Sequence, residues 1–248
     1  MSTRLLQANL NHARQAQDLF LEDLCGRDAG LDVVAEPYSV PDSNPNWVAA
    51  ADGSAVIIRR HSPRSPSISL MERGREFVIA RWGALRVVGV YAPPSMSYPE
   101  FLQLLREMGA GIRRCLPHPV LVAGDFNAWN MAWGSRRTGK RGENVMDWAA
   151  ELDLQLLNWG SKSTCVHPRG ESIVDLTWAS PRAARLVESW GVTDRESLSD
   201  YQIIEMVLTA TPREVLLRRL QRGNRPPRRW ILAKLDQDKL EAAVLVEM

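Results

Sequence analysis

The feature that most constrains the fold is an apolar run that stops at two closely spaced polar residues. Residues 120–124 are Val, Leu, Val, Ala and Gly, and Asp125 and Asn127 follow directly. Such a run predicts a buried strand, and side chains two positions apart on a strand point to the same side. A carboxylate and an amide would then meet past a sheet edge, where ligands of α/β sheets bind. Asp and Asn are also ordinary turn residues after a strand, so the segment alone leaves both interpretations open.

Short apolar runs recur along the chain, separated by turn residues. Five runs between residues 46 and 91 have the spacing of a meander of neighbouring strands, with a hairpin predicted at residues 82–85. Apolar residues at helical spacing predict helices over residues 12–28, 97–114 and 144–152, and Ser97 with Glu100 matches a capping box. Further strands are predicted over residues 3–9, 32–35, 154–158, 172–179 and 203–208.

The composition sets limits on the class of protein. A chain of 248 residues with 45% hydrophobic content suits one large domain, or one domain with an appendage. It has neither an apolar run long enough for a membrane span nor the apolar block of a signal peptide. Cys25, Cys115 and Cys165 are odd in number and lack CxxC spacing. We therefore expect a reduced, intracellular protein without a zinc site.

Charge is distributed unevenly along the chain. Residues 211–248 hold 9 Lys or Arg and 5 Asp or Glu, a net charge of +4, which leaves −2 for residues 1–210. We predict one domain over residues 1–210, with residues 211–248 forming a basic linker and the start of a further region downstream. Contact with an anionic partner would then come from local arginine clusters rather than from an overall positive field.

Polar side chains close several other predicted strands, namely Asn9, Glu36, Tyr91 and the pair Asp200 and Tyr201. Asp175 lies inside an apolar run, where a carboxylate needs an ion-pair or hydrogen-bond partner or has a functional role. Each residue also has a plainer interpretation, such as a solvated turn glutamate, a satisfied buried tyrosine or a structural ion pair.

If these groups share one pocket, four carboxylates and two amides would repel each other without a cation. Hard oxygen ligands suit Mg²⁺ or Mn²⁺ better than zinc. The sequence has no Ser/His/Asp arrangement, reactive-cysteine motif or P-loop. Metal-assisted phosphoester hydrolysis is therefore the reaction that this set of residues predicts.

A basic, glycine-containing loop with two tryptophans is predicted after the 120–127 segment, and it extends through Lys140 and Arg141. It is either a plain solvated loop or a surface for a nucleic-acid backbone, which cationic and aromatic side chains suit. The predicted DNA-contacting residues are Arg113, Arg114, Trp129, Asn130, Arg136, Arg137, Lys140, Arg141 and Ser172.

Six motifs, in order, resemble the signature of the endonuclease/exonuclease/phosphatase superfamily: Ala8-Asn9, Ala35-Glu36-Pro37, Val90-Tyr91, Gly124-Asp125-Phe126-Asn127, Ser172-Ile173-Val174-Asp175 and Ser199-Asp200. With Trp133-Gly134-Ser135 and Arg141-Gly142, the chain is most similar to the apurinic-endonuclease-like domain of site-specific non-LTR (LINE-type) retrotransposons. The resemblance covers about residues 3–209. It implies a four-layer α/β sandwich, in which two mixed β-sheets pack face to face and helices flank them.

The resemblance also implies roles for the motif residues. Glu36 would be the main Mg²⁺ ligand, with Asn9 and Asp200 beside it and Mn²⁺ as a substitute metal. Asp125 would orient or deprotonate the attacking water. Asn127 and Tyr91 would bind phosphate oxygens, and Asp175 would polarise a histidine that follows Asp200.

That histidine is missing, because Tyr201 stands where the resembled pattern has it. A phenol, with a reference pKa of about 10, can donate one hydrogen bond but supplies no positive charge near neutral pH. The sequence context of His12 predicts a surface residue at the start of a helix. Neither it nor His61, His118 or His167 lies in a motif that would make it a substitute.

The leading prediction is a Mg²⁺-dependent nuclear endonuclease that nicks one strand of double-stranded DNA. A reverse transcriptase fused downstream would extend the free 3′-hydroxyl, and no membrane would be involved. The first alternative is an apurinic-site repair nuclease or another phosphoesterase of the superfamily. The second is a DNA-targeting module whose catalysis is weakened by Tyr201.

Overall fold

Two six-stranded mixed β-sheets form the centre of the protein, seen here in a computed structural model that describes residues 2–23, 29–60, 65–168 and 170–209. The strands are β1 (Ser2–Asn9), β2 (Ala29–Ala35), β3 (Trp47–Ala49), β4 (Ala55–Arg59), β5 (Ile68–Arg73), β6 (Phe77–Trp82), β7 (Leu85–Tyr91), β8 (Val120–Asp125), β9 (Gln155–Leu156), β10 (Cys165–His167), β11 (Gly170–Ser172), β12 (Asp175–Ala179), β13 (Val187–Val192) and β14 (Ile204–Thr209). The helices are α1 (Arg14–Asp23), α2 (Tyr98–Cys115), α3 (Lys140–Glu151) and α4 (Pro181–Ala184).

The first sheet has the strand order β13-β14-β1-β2-β4-β3, and the second has the order β5-β6-β7-β8-β12-β9. In each sheet one central pair is parallel, β1 with β2 and β7 with β8, and the other pairs are antiparallel. Because parallel neighbours end at the same sheet edge, the carboxyl ends of these two pairs carry the residues of interest.

Side-chain alternation explains how the sheets stack. On β1, Leu5 belongs to the core between the sheets, whereas Leu6 belongs to the core under α1. On β8, Leu121 points between the sheets and Val122 points to the core under α2 and α3. Each sheet therefore has apolar residues on both faces, and helices cover the outer faces. This arrangement confirms the predicted four-layer α/β sandwich.

The capping box at the start of α2 is present as predicted: Ser97 Oγ accepts from the Glu100 N–H, and the Glu100 side chain accepts from the Ser97 N–H. The hairpin at residues 82–85 is also present, with Trp82 paired to Leu85. Among the described helices, none has both the length and the apolar character needed to cross a membrane.

Several predicted elements have different bounds in the structure or lie partly outside the described residues. The helix expected over residues 12–28 is described from Arg14 to Asp23, and residues 24–28 lie outside the described part. The strand expected over 172–179 is divided because β11 pairs with β10 in a separate hairpin, whereas β12 pairs with β8. The basic linker and downstream region predicted for residues 211–248 also lie outside the described residues.

Helix α3 begins at Lys140, four residues before the predicted start at Asn144. The glycines at positions 139 and 142 are typical of a loop. In the structure, however, Gly142 allows the first turn of the helix to pack on the preceding loop. A Cβ at this position would lie 2.0 Å from the Trp129 carbonyl oxygen. Lys140 and Arg141 are therefore helical residues, and the prediction that placed them in a loop was wrong.

Candidate active site

Strand register brings three of the predicted residues side by side. Tyr91 on β7 and Asp175 on β12 are both cross-strand partners of Asp125 on β8. On each strand, a residue an even number of positions away packs in the core between the two sheets. The three side chains therefore point to that same face, as does Asn9 at the end of β1. The pleat of four strands thus directs four polar side chains into the same edge of the sandwich.

Asn9 joins the carboxylates of the two sheets. Its Nδ2 donates to Glu36 Oε2 at 2.9 Å and to Asp125 Oδ2 at 3.0 Å. The Tyr91 hydroxyl donates to the other Glu36 oxygen, Oε1, at 2.6 Å. Four of the predicted site residues therefore form one buried hydrogen-bonded cluster, although they are far apart in sequence.

The backbone of Glu36 is fixed in an unusual conformation just past β2. Its φ of +47° lies in the left-handed region, which is uncommon for a residue other than glycine. Its N–H donates to the Ser54 carbonyl at 2.8 Å, and its carbonyl accepts from the His12 N–H at 2.9 Å. Such conformations persist where surrounding structure holds them, and they cluster at functional sites.

Asp125 and Asn127 meet through the backbone rather than through the pleat of one strand. Strand β8 ends at Asp125, and Asn127 lies beyond it with a φ of +44°. Its backbone N–H donates to Asp125 Oδ1 at 2.8 Å, which closes a turn. The Asn127 side-chain nitrogen is buried and has no hydrogen-bond partner within the described residues. It is thus a donor available to a ligand.

The Asp175 side of the site is organised differently. Asp175 is only 1% exposed, and among the described residues neither of its carboxylate oxygens has a hydrogen-bond partner of good geometry, although the Thr164 side chain lies close enough to lower its pKa. Tyr201 lies next to it, held by a β-bridge to Cys165, and its hydroxyl is within hydrogen-bonding reach of Asp125. Tyr201 therefore lies near both Asp125 and Asp175.

Burial and mutual repulsion raise the pKa values of these groups. Burial raises the pKa of Asp125 to about 7, and the Glu36 charge adds to the rise, while the Asn127 N–H and the Asn9 amide oppose it. Burial raises the pKa of Asp175 well above its ordinary value, and the Asp125 charge raises it further. The pKa values of Tyr91 and Tyr201 are also raised, first by burial, so both phenols remain protonated donors.

The residues present fit a divalent cation in their chemistry. Within the ranges described, no three His, Cys, Asp or Glu side chains converge as a ready metal centre. However, buried carboxylates that raise each other's pKa are hard oxygen donors whose repulsion a divalent ion would relieve. Asn9 presents its nitrogen to the carboxylates, while its oxygen accepts from the Asn11 N–H at 2.8 Å. It enters the cluster as a donor, so its predicted role as a ligand remains a prediction.

The structure places Asp200 beside the cluster, because the preceding residue, Ser199, is hydrogen-bonded to Asn9. Ser199 Oγ donates to the Asn9 carbonyl at 2.9 Å, whereas the Asp200 backbone carbonyl accepts from Val166 at 2.7 Å. Ser199 thus makes the hydrogen bond to the Asn9 backbone, and the metal-binding role of Asp200 remains a prediction.

Four of the predicted DNA-contacting residues line one cavity of about 280 Å³, namely Trp129, Arg136, Arg137 and Ser172. The Arg137 guanidinium lies 4.7 Å from the centre of a Trp129 ring. Ile173 also lines the cavity and lies two residues before Asp175. The cavity therefore adjoins the Asp175 side of the site and presents cationic and aromatic groups together.

The other predicted DNA-contacting residues are divided between the site edge and the opposite end of the fold. Asn130 caps a short 3₁₀ turn by accepting from the Ala132 N–H at 2.9 Å, and Lys140 is exposed at the start of α3. Arg141 points inward and donates to the Pro93 carbonyl at 3.1 Å.

Arg113 and Arg114 lie in the last turn of α2, where they pair with Glu151 and Glu72. The structure does not bring these two arginines to the site.

Gln7 was not predicted, although it lies directly beneath the cluster. It is 1% exposed, and its Nε2 donates to the carbonyls of Gly124 and Leu176, both at 3.3 Å. Its Oε1 accepts from the Thr177 hydroxyl at 2.8 Å. This glutamine links β1 to β8 and β12 just before Asp125 and just after Asp175. A polar residue in an apolar strand, two positions before Asn9, was the available signal.

Comparison with known proteins supports the architecture. Residues 85–205 match the family described as Endonuclease-reverse transcriptase. The endonuclease domain of TRAS1, a telomere-specific non-LTR retrotransposon, has a similar structure, with a TM-score of 0.70, 24% identity and coverage of 84% of this chain and 99% of that one. A 3′-5′ exonuclease from Neisseria meningitidis gives a TM-score of 0.63 at 14% identity, covering 84% of this chain and 100% of its own.

A 3′ phosphatase from Neisseria, bound to a product DNA hairpin, gives a TM-score of 0.60 at 16% identity over 82% of this chain and 98% of its own. No curated protein matches the sequence. The family match covers Tyr91, Asp125, Asp175 and Tyr201, whereas Asn9 and Glu36 precede it.

Proposed function

We propose that the chain, whose residues 85–205 match the family described as Endonuclease-reverse transcriptase, is a divalent-metal-dependent endonuclease that nicks one strand of double-stranded DNA. The observation that carries the proposal is the buried cluster in which Asn9 links Glu36 to Asp125. It provides a base, hydrogen-bond donors and anionic ligands at one sheet edge, as metal-assisted phosphodiester hydrolysis requires.

Asp125 is the residue suited to activate water. Because its pKa is raised to about 7, a large fraction is deprotonated near neutral pH and can accept a proton. The oxygen of the water then bonds to phosphorus while the bond from phosphorus to O3′ breaks. The O3′ atom takes up a proton, so the nick leaves a 3′-hydroxyl and a 5′-phosphate.

The amide and phenol groups bind the phosphate in this proposal. The buried Asn127 nitrogen has a free donor for a phosphate oxygen, and the protonated hydroxyls of Tyr91 and Tyr201 are two further donors. Glu36, Asn9 and Asp200 would hold Mg²⁺ or Mn²⁺, which when bound stabilises negative charge on the phosphate.

Target-primed reverse transcription is the biological context that we propose. The nick would supply the 3′-hydroxyl for a reverse transcriptase fused downstream, and the protein would act in the nucleus. The family description, which joins endonuclease to reverse transcriptase, and the similarity to the TRAS1 domain support this proposal.

Two alternatives have support of their own. The similarity to the Neisseria exonuclease and 3′ phosphatase favours a repair-type phosphoesterase. Alternatively, the tyrosine at position 201, where the resemblance implies a histidine, favours a DNA-targeting module with weakened catalysis.

One set of assays separates these functions. The protein is incubated with supercoiled plasmid, an abasic duplex and a small phosphomonoester, each with Mg²⁺ or with EDTA. We expect Mg²⁺-dependent conversion of the plasmid to open circles, with the 3′-hydroxyl ends detected by polymerase extension. Cleavage of abasic DNA alone would contradict the proposal, and so would DNA binding without any nicking at high protein concentration.

A further inference from the structure

His12 lies beside the acidic cluster, although its sequence context predicts only a surface residue at a helix start. Its Nε2 is 3.4 Å from Glu36 Oε1, and the side chain is 62% exposed. The loop that carries it has left-handed backbone at Asn11, with φ of 48°, and at His12, with φ of 52°. A backbone hydrogen bond from the His12 N–H to the Glu36 carbonyl also joins this loop to Glu36.

The orientation of the imidazole ring is fixed by its other nitrogen. Nδ1 is 3.1 Å from the Pro37 carbonyl oxygen, which can only accept a hydrogen bond. Nδ1 therefore carries the hydrogen, and in the neutral ring the lone pair is on Nε2. Histidines that bind metals typically donate their second nitrogen to a backbone carbonyl or carboxylate in this way.

The Nε2 lone pair faces a carboxylate oxygen, and two such acceptors are attractive only when a positive charge lies between them. A shared proton would draw them to about 2.7–2.9 Å, the usual length of a charge-assisted hydrogen bond. Two donors on one cation, each about 2.1–2.2 Å from it, lie about 3.0 Å apart at a right angle and about 3.5 Å apart at a tetrahedral angle. The observed distance of 3.4 Å between His12 Nε2 and Glu36 Oε1 falls between the two separations expected for donors that share one cation.

We propose that His12 Nε2 is a metal ligand that shares one divalent cation with Glu36. The inference rests on the proposed function, since it concerns the ion that the nuclease would use. It adds a nitrogen to a donor set otherwise composed of oxygen, and imidazole suits transition metals whereas Mg²⁺ prefers oxygen ligands. The site therefore binds Mn²⁺ more tightly than a purely oxygen site would.

The direct test is the electron spin-echo envelope modulation of Mn²⁺ bound to the full chain, prepared without a polyhistidine tag. We expect ¹⁴N couplings from a coordinated imidazole in the wild type. His12→Ala should remove them and weaken Mn²⁺ binding by about 10–100-fold, on the scale of lost metal-site interactions. Mg²⁺ affinity should change by only about twofold, because water replaces nitrogen readily on that ion.

His118→Ala is the matched control, since His118 is exposed and lies just before β8, at the end of the strand opposite Asp125. It should keep the ¹⁴N couplings. Their absence from the wild type, or their persistence in His12→Ala, would overturn the inference. A thermal unfolding curve of His12→Ala that matches the wild type excludes misfolding as the cause of a loss.

The two proposals fail separately. Loss of the nitrogen couplings in His12→Ala, together with no DNA nicking by the wild type, would uphold the ligand and reject the nuclease. Metal-dependent nicking with identical Mn²⁺ spectra in the wild type and His12→Ala would reject the ligand and leave the nuclease in place.

Discussion

The two halves of the site differ in how well their polar groups are partnered. On one half, both Glu36 oxygens accept hydrogen bonds, from Asn9 and Tyr91, and Asn9 also reaches Asp125. On the other half, Asp175 is more deeply buried than Glu36, and within the described residues neither of its oxygens has a hydrogen-bond partner of good geometry, although the Thr164 side chain lies close by. The resembled family has a histidine at position 201, and this chain has a tyrosine there.

The difference indicates which half limits catalysis. The Glu36 half holds Asn9, Tyr91 and Asp125 with Glu36 in one hydrogen-bonded cluster. The Asp175 half retains the acid but has Tyr201 in place of the histidine that the resemblance implies. Burial and the Asp125 charge raise the pKa of Asp175 more than the Thr164 side chain lowers it, so ionised Asp175 costs folding stability. We infer that the site is assembled for hydrolysis and slowed at residue 201.

The largest effect is expected on the partnered half. Glu36→Ala removes the acceptor shared by Asn9 and Tyr91 and the proposed main metal ligand. Plasmid nicking should fall by at least about 10²–10³-fold, the usual cost of losing a key charge-stabilising group. Glu188→Ala on β13, where the side chain is exposed, is the control and should nick at the wild-type rate. Equal rates for Glu36→Ala and the wild type would reject the assignment of this half.

The pH dependence of nicking tests Asp125, where the two halves meet. A general base works only when deprotonated, and the pKa of Asp125 is raised to about 7. Activity should therefore be lost as pH falls, by about tenfold per unit below the pKa, and should level off above it. The measurement is kcat/KM for nicking from pH 5 to 9. A flat profile across pH 6 to 8 would exclude Asp125 as the base.

Salt-dependent DNA binding tests the cavity next to the Asp175 half. Replacing Arg136 and Arg137 together by Ala should reduce the slope of log K against log salt by about 2, because each phosphate contact contributes about 0.9. The paired variant at Arg113 and Arg114, which lie in the last turn of α2, should keep the wild-type slope. Fluorescence anisotropy with duplex DNA gives both slopes. Equal changes in the two variants would remove the cavity from the DNA interface.

Stability should change in opposite directions on the two halves. Asn9→Ala leaves Glu36 and Asp125 without a shared donor and should cost about 1–3 kcal/mol. Asp175→Asn removes a buried charge and should stabilise the fold at pH 8. Because the pKa of Asp175 is raised in the folded state, its contribution is favourable at low pH and is lost as pH rises. The gain in the free energy of unfolding from Asp175→Asn should therefore shrink toward pH 5, and urea unfolding at both pH values would measure it. Destabilisation by Asp175→Asn at pH 8 would show that the charge of Asp175 is satisfied.

Sequence periodicity was sufficient to predict much of the site. The apolar runs placed Asn9, Tyr91 and Asp125 at strand ends, and the resemblance supplied their roles, which remain predictions. The acid inside an apolar run, Asp175, is indeed buried. These features depend on neighbours along the chain, which a sequence records directly.

Features that depend on distant contacts were not predictable. Gln7 bonds to carbonyls 117 and 169 residues away, and nothing in its local sequence indicates which strands it will meet. The left-handed backbone at Glu36 carries hydrogen bonds to Ser54 and His12, which are distant in sequence. The early start of α3 depends on how Gly142 packs against the Trp129 carbonyl.

The most direct test of the account is the nicking rate of Tyr201→His, measured with and without Asp175→Asn under the same Mg²⁺ concentration. A histidine would give Asp175 a partner and supply a charged donor to the phosphate. We predict that Tyr201→His raises the rate by about 10²–10³-fold, the usual value of one positioned donor, and that Asp175→Asn removes most of the gain. An unchanged or lower rate in Tyr201→His would contradict the claim that residue 201 limits this site.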